Sequence, residues 1–190
     1  MDDLHAAFKD PQVAAILIGV GGTHAIELLP WLDFELIRAH PKPIYGFSDA
    51  TILLNAIYAV TGMTTYYGPL FFSFAVNADL HSTLDYWQRA LFSKKPYALT
   101  PAARWGNYMD LNKDLVNEGY QVVREGNADG KLVGGHLPSL KDELKASLLS
   151  RENLKHLPVV MNVDFGHTTP MVPLPIGGRI SIDKEQLYIE

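Results

Sequence analysis

Pro43-Ile44-Tyr45-Gly46-Phe47-Ser48-Asp49-Ala50-Thr51 is the stretch from which the fold can be read. Ile44 to Gly46 is short and β-prone. An apolar helical run starts at Thr51, and the serine stands at the bend between them. A strand that turns sharply into a helix lifts the residue at the turn clear of the sheet, which is how a nucleophilic hydroxyl is exposed. Gly46 and Ala50, two before and two after Ser48, are both small, as a tight elbow requires. The stretch departs from G-x-S-x-G only in Ala50. The competing reading is a serine that caps the helix.

The same grammar extends outward. Val13 to Val20 is an apolar run without alternation, expected as a strand buried on both faces, and it ends in Gly21-Gly22. Asp33 can cap a short helix through Ala39, which Pro41 and Pro43 close. Thr51 to Val60 is a helix with Gly62 as its C′ residue, and Thr64 to Tyr67 is a third strand. This rhythm predicts an α/β fold with parallel strands. Asp79 to Phe92 reads as an amphipathic helix with Leu80, Leu84, Trp87 and Leu91 on one face.

Beyond it the pattern changes. Residues 96–118 lack periodicity and are expected as a linker or long loop between an N-terminal nucleophile domain (1–95) and a C-terminal domain (119–190). Tyr120 to Arg124 and Lys131 to Val133 read as a hairpin around Gly126 to Gly130. Ser139 to Arg151 reads as a helix and Pro158 to Val163 as a strand. Arg179 to Ile182 and Leu187 to Ile189 read as a last hairpin around Asp183-Lys184-Glu185. The second half is therefore a smaller mixed α+β unit.

Composition excludes several functions. Of 190 residues, 47% are hydrophobic and 19% charged, which predicts a packed core. A formal net charge of -5 argues against a sequence-independent nucleic-acid binder. The absence of cysteine rules out disulfides, thiolate catalysis and Cys-ligated zinc. Apolar runs are too short to span a bilayer, and Met1-Asp2-Asp3-Leu4-His5 shows no signal-peptide core. A cytoplasmic protein without membrane attachment is expected.

Seven histidines are present, and His167 is the best candidate base. It follows the strand-like Pro158 to Val163 and sits between Gly166 and Thr168, at the strand end where α/β active sites gather. The alternative is a structural histidine. Gly21-Gly22-Thr23 could turn backbone N–H groups into a cleft as an anion hole, or could be a plain βα turn. The dinucleotide fingerprint fails there because His24 occupies the third small position. No H-E-x-x-H or His/carboxylate cluster points to a metal, and no cofactor is expected. Trp105, Tyr108 and Tyr120 could stack a planar ligand or simply anchor the core.

These segments together resemble the serine-type LD-carboxypeptidase family, and within it the branch of the microcin C immunity peptidases. The resemblance rests on Gly21-Gly22 with Leu28-Leu29-Pro30-Trp31-Leu32-Asp33, Gly46-Phe47-Ser48-Asp49-Ala50-Thr51, and Tyr67-Gly68-Pro69. It continues in Gly134-Gly135-His136-Leu137 and in Asp164-Phe165-Gly166-His167-Thr168-Thr169-Pro170 with Leu174-Pro175-Ile176-Gly177. It implies a Ser-Glu-His triad with Ser48 as nucleophile and His167 as base. It also implies an oxyanion hole from the backbone N–H groups of Asp49 and Gly22, and Trp105 on the aromatic substrate-binding loop. The implied substrate is a small peptide or peptide-nucleotide: a muropeptide or a peptide-adenylate, cut without metal. The implied state is a homodimer.

Two departures accompany it. Family chains carry strands before the position of Met1, which leaves the N-terminal layer incomplete. The family's glutamate follows a strand downstream of the G-G-N-L-like motif. Here Gly134-Gly135-His136-Leu137 runs through Lys141-Asp142-Glu143-Leu144 straight toward the final strand, so that strand and its acid are expected to be missing. Glu143 and Glu152 match no motif. Losing the acid of a serine-protease triad costs about 10⁴ in rate. The chain is thus expected to be an impaired hydrolase, a non-catalytic binder of peptide or nucleotide, or a deleted product without stable function.

Overall fold

A computed structural model describes residues 1–76, 80–107, 110–132, 134, 158–184 and 186–190. The expected helix at 139–151, Asp79, Tyr108, Met109, His136, Glu143 and Glu152 lie outside those residues.

Helix α1 (Asp2–Lys9) packs Phe8 fully into the core and leads to strand β1 (Ile16–Leu17). A 3-10 segment (Ala25–Trp31) and helix α2 (Phe34–Ala39) follow, and the Asp33 carboxylate accepts the Leu36 N–H at 2.9 Å as the expected cap. Strand β2 (Ile44–Gly46) is buried throughout and feeds helix α3 (Thr51–Thr61), which Gly62 ends at φ 76°. Strand β3 (Thr65–Tyr67) lies parallel to β2, as β2 does to β1. The parallel α/β layer is therefore present.

β1 is shorter than the apolar run suggests. Ile16 and Ile18 donate to Pro43 and Tyr45, but the carbonyls of Ile18 and Gly19 accept from Phe71 and Phe72. The chain peels away from β2 there, which leaves Val20 exposed.

Helix α4 (Ser73–Val76) precedes α5 (Leu80–Phe92). The most buried described residues of α5 are Thr83 and Tyr86. The expected stripe faces inward only in part: Leu84, Trp87 and Leu91 are half-buried, with Trp87 packed on Tyr45 and Phe74, while beside them the Tyr86 hydroxyl reaches Thr100 and the Thr83 hydroxyl accepts Met171 N–H.

The segment expected as a linker carries strands. β4 (Tyr97–Leu99) pairs with the C-terminal strand, and β5 (Arg104–Asn107) forms an antiparallel ladder with β6 (Asp110–Val116). Their polar residues hide the period-2 pattern, since only Gly106 of β5 is buried.

The expected hairpin of residues 120–133 does not form either. β7 (Gln121–Arg124) pairs with β9 (Val159–Met161), and β8 (Asn127–Lys131) pairs with β12 (Arg179–Asp183). The less exposed positions of β8 are Ala128 and Gly130, too small to give an apolar signal. β12 and β13 (Gln186–Ile189) do form the expected hairpin.

Between β9 and β12 the chain forms β10 (Thr168–Thr169), on β5, and β11 (Leu174–Ile176), antiparallel to β3. Through β11 the C-terminal part completes the sheet β1-β2-β3-β11. Leu99, Met171, Val172, Leu187 and Ile189 share one hydrophobic core with Ile44, Leu54 and Ile57. Among the described residues no helix is long and apolar enough to cross a membrane.

Candidate active site

Ser48 has φ 59°, a left-handed conformation that costs an L-residue about 1–3 kcal/mol. The geometry around it shows what holds it there. A Cβ on Gly46 would lie 3.0 Å from both Ala50 Cβ and Ile18 Cδ1, so the small residue on either side of the elbow is a packing requirement. The Thr51 hydroxyl donates to the Ser48 carbonyl at 2.7 Å. Ser48 does not cap the helix. The residue before α3 is Ala50, with no side-chain cap, and Ser48 itself opens a 3-10 turn (Ser48–Ala50).

The glycine turn after β1 meets the elbow. A Cβ on Gly21 would lie 3.2 Å from Ser48 Cβ and 3.4 Å from its Oγ, and one on Gly22 would lie 3.3 Å from an Asp49 carboxylate oxygen. That carboxylate accepts the Ala25 N–H at 2.8 Å, which ties the 3-10 segment behind the turn to the elbow. Ser48, Asp49, Gly21 and Gly22 thus converge at the C-terminal ends of β1 and β2.

His167 approaches from the other part of the chain. Its ring stands edge-on to Phe47, the residue before Ser48, with centroids 5.1 Å apart. Tyr67, at the end of β3 and paired with Gly46, supports the same loop. Its hydroxyl accepts the Gly166 N–H, its ring lies edge-on to Phe165 at 6.2 Å, and it tilts against Phe47 at 6.1 Å. Burial pushes the Tyr67 pKa up, so the group stays a neutral phenol.

Trp105, on β5, is 38% exposed and lines a cavity of about 590 Å³ with Leu115, Asn117, Asp164, Phe165 and Thr168. Phe165 and Thr168 flank Gly166-His167, so the cavity adjoins the histidine loop, although Ser48 does not line it. Tyr120 does not line the cavity, although its hydroxyl is near Asp164. It packs against the core with its hydroxyl buried and without a hydrogen-bond partner.

Three residues that sequence reasoning assigned no role also shape this region. They are Tyr67, Asp164 and Asn55, whose amide donates to the carbonyls of Thr51 (2.7 Å) and Gly134 (2.8 Å). Asp164 was legible only as part of a motif, and nothing in the sequence announces its partners.

Comparison with known proteins places this architecture. The sequence model of the LD-carboxypeptidase N-terminal domain matches residues 1–68, and that of the C-terminal domain matches residues 126–182. YocD of Bacillus subtilis, named as a carboxypeptidase, is 31% identical over 95% of this chain and 76% of its own length. The microcin C7 self-immunity protein MccF of Escherichia coli is 26% identical over 92% of this chain and 72% of its own. The crystal structure of an MccF-like protein from Bacillus anthracis superposes with a TM-score of 0.86 at 33% identity, covering 99% of this chain and 79% of that one. The chain belongs to the LD-carboxypeptidase family. The structure of MccF in complex with aspartyl sulfamoyl adenosine has the same fold, with a TM-score of 0.83 at 23% identity.

The alignment with YocD runs over 247 residues, whereas the whole chain has 190, so YocD carries at least 57 internal residues without a counterpart here.

Proposed function

We propose that the chain is a serine peptidase of the LD-carboxypeptidase type, with Ser48 as nucleophile and His167 as general base. The observation that carries this reading is the strained elbow. Ser48 is held at φ 59° by small residues on both sides, a conformation that a merely structural serine has no reason to adopt. His167 takes the proton from Ser48 Oγ as the oxygen attacks the amide carbonyl, then passes it to the leaving amine. The N–H of Asp49, in the first turn of a helical segment, has no intrahelical acceptor and can receive the oxyanion, with the N–H of Gly22 as second donor. The Asp49 carboxylate keeps that second donor in register through Ala25.

The substrate is a terminal amide in a muropeptide or a peptide-adenylate. The relatives support both, since they include a murein peptide carboxypeptidase and a microcin self-immunity protein. Trp105 stacks a planar part of the ligand at the mouth of its cavity. We place the internal gap after Gly134-Gly135-His136-Leu137, where the family's catalytic acid is expected. The histidine then works without that acid, and turnover is about 10⁴ lower than with a full triad. This gap is also what favours the second reading, a non-catalytic binder of the same ligands.

The protein acts in the cytoplasm as a homodimer. The exposed Val20, Phe71 and Phe72, brought together where β1 ends, are the apolar surface a second copy would cover. Incubation with an LD-tetrapeptide and, separately, with an aspartyl-adenylate tests the assignment. Slow release of the terminal amino acid or of AMP, abolished by Ser48→Ala, is expected. Binding of either ligand unchanged by Ser48→Ala, with no product at any enzyme concentration, would leave the binder reading standing.

A further inference from the structure

Asp164 is 5% exposed, three residues before His167, and its carboxylate is held on both oxygens. One accepts the Ala102 N–H at 2.8 Å and the other accepts the Asn117 side-chain N–H at 2.9 Å. The Asn117 amide cannot turn around, because its own oxygen accepts the Gly119 N–H at 2.9 Å. Two donors therefore converge on position 164, and an ionised carboxylate, an acceptor on both oxygens, is the side chain that satisfies both.

The same residue closes the histidine loop. The Asp164 carbonyl accepts the Val172 N–H at 2.7 Å, so residues 164–172 form a closed loop with His167 near its middle. Past His167 the loop is fixed by the pairing of Thr168 and Thr169 with Asn107 and Gly106, and by Met171 N–H to the Thr83 hydroxyl at 3.1 Å. Before His167 it is fixed by the Tyr67 hydroxyl on Gly166 and by the Asp164 carboxylate. The carboxylate is the only one of these tethers that reaches the stretch 102–117 by a buried ionisable group.

We propose that Asp164 is a positioning residue for His167. Clamped between Ala102 and Asn117, it sets where the imidazole stands against Phe47, the residue before Ser48. The inference rests on the reading of His167 as the base. It assigns to a carboxylate outside the triad part of the work of holding the ring in place. Burial raises the Asp164 pKa and the two hydrogen bonds lower it, with burial the larger effect. The site keeps a costly group where a neutral Asn could accept only one of the two bonds.

The test is a side-chain swap on the full chain, read by the NMR resonance of His167 Cε1 and by covalent labelling of Ser48 with a fluorophosphonate. Asp164→Asn puts an amide N–H against a donor. It should move the His167 resonance and slow labelling about tenfold or more. Asn117→Asp opposes two carboxylates and should do the same. The double swap restores every bond, with Asn accepting from Ala102 and donating to Asp, and Asp accepting from Gly119. It should return the resonance to the parent position and labelling to within about threefold. An unmoved resonance in Asp164→Asn, or a double swap no better than the worse single, overturns the proposal. If neither single variant folds, the double swap is read alone, and its misfolding or displaced resonance overturns the proposal as well. A parent that never labels, yet shows the resonance moved and restored, upholds Asp164 as the positioning residue and refutes only the peptidase reading.

Discussion

Ser48 and His167 are held in opposite ways. The serine is fixed mainly from within a few residues, by Gly46, Thr51 and Ala50, with Gly21 as a neighbour from further along the chain. The histidine is fixed almost wholly from afar, by Phe47, Tyr67, Thr83, Ala102, Gly106 and Asn117. A locally built elbow survives loss of chain elsewhere, whereas a loop tethered at many distant points depends on all of them. In this chain, at least 57 residues shorter internally than YocD, the elbow that holds Ser48 is the sturdier of the two and the loop that holds His167 the more dependent one.

The contrast can be broken first at the histidine. His167→Ala removes the proposed base while leaving the elbow intact. Labelling of Ser48 by a fluorophosphonate should fall about 10²-fold or more, with the thermal midpoint within a degree or two. A drop in labelling below about threefold would mean that the serine needs no base from this loop.

The glycine turn comes next. Gly21→Val crowds Ser48 Cβ and Oγ, and a labelling loss of about tenfold is expected. Gly130→Ala, whose added carbon meets nothing within 4 Å, serves as the control. Parallel unfolding curves should show both variants folded.

Relieving the strain at the elbow should have a smaller effect, and in the other direction. Ser48→Gly adopts φ 59° without penalty and should raise stability by about 1 kcal/mol in urea unfolding while abolishing labelling. A loss of stability would show that Ser48 is not strained.

The smallest effect concerns Asp164. Its folded-state pKa is raised, so the folded chain binds the proton more tightly than the unfolded one. Its contribution to stability therefore falls as pH rises through the window from its ordinary value up to the raised one. The difference in unfolding free energy between parent and Asp164→Asn, measured across that window, should shrink in the parent's disfavour as pH rises. A difference that stays flat would mean that the carboxylate is not desolvated.

The same contrast explains what sequence alone revealed. Ile44–Gly46, Thr51–Thr61 and the Gly62 cap follow from local signals, and so do the Asp33 cap and the final hairpin. Those signals lie within a dozen residues. The partners of β7, β8 and β11 lie tens of residues away or more, and polar or small side chains such as Ala128 and Gly130 conceal which face is inward. Residues 96–118 look unstructured because β5 and β6 form a ladder in which exposed Leu115 and Val116 carry no alternation. The elbow was accordingly legible as a candidate site. His167 was legible as a residue but not as a place, because Tyr67, Thr83 and Asn117 hold it through contacts that no periodicity records.

The most direct measurement is mass-spectrometric mapping of the adduct formed when the purified chain meets a fluorophosphonate probe. One adduct is expected, on the peptide containing Ser48, absent in Ser48→Ala and slowed in His167→Ala. No adduct on Ser48 in the folded parent, or an adduct on another serine that persists in Ser48→Ala, would contradict it.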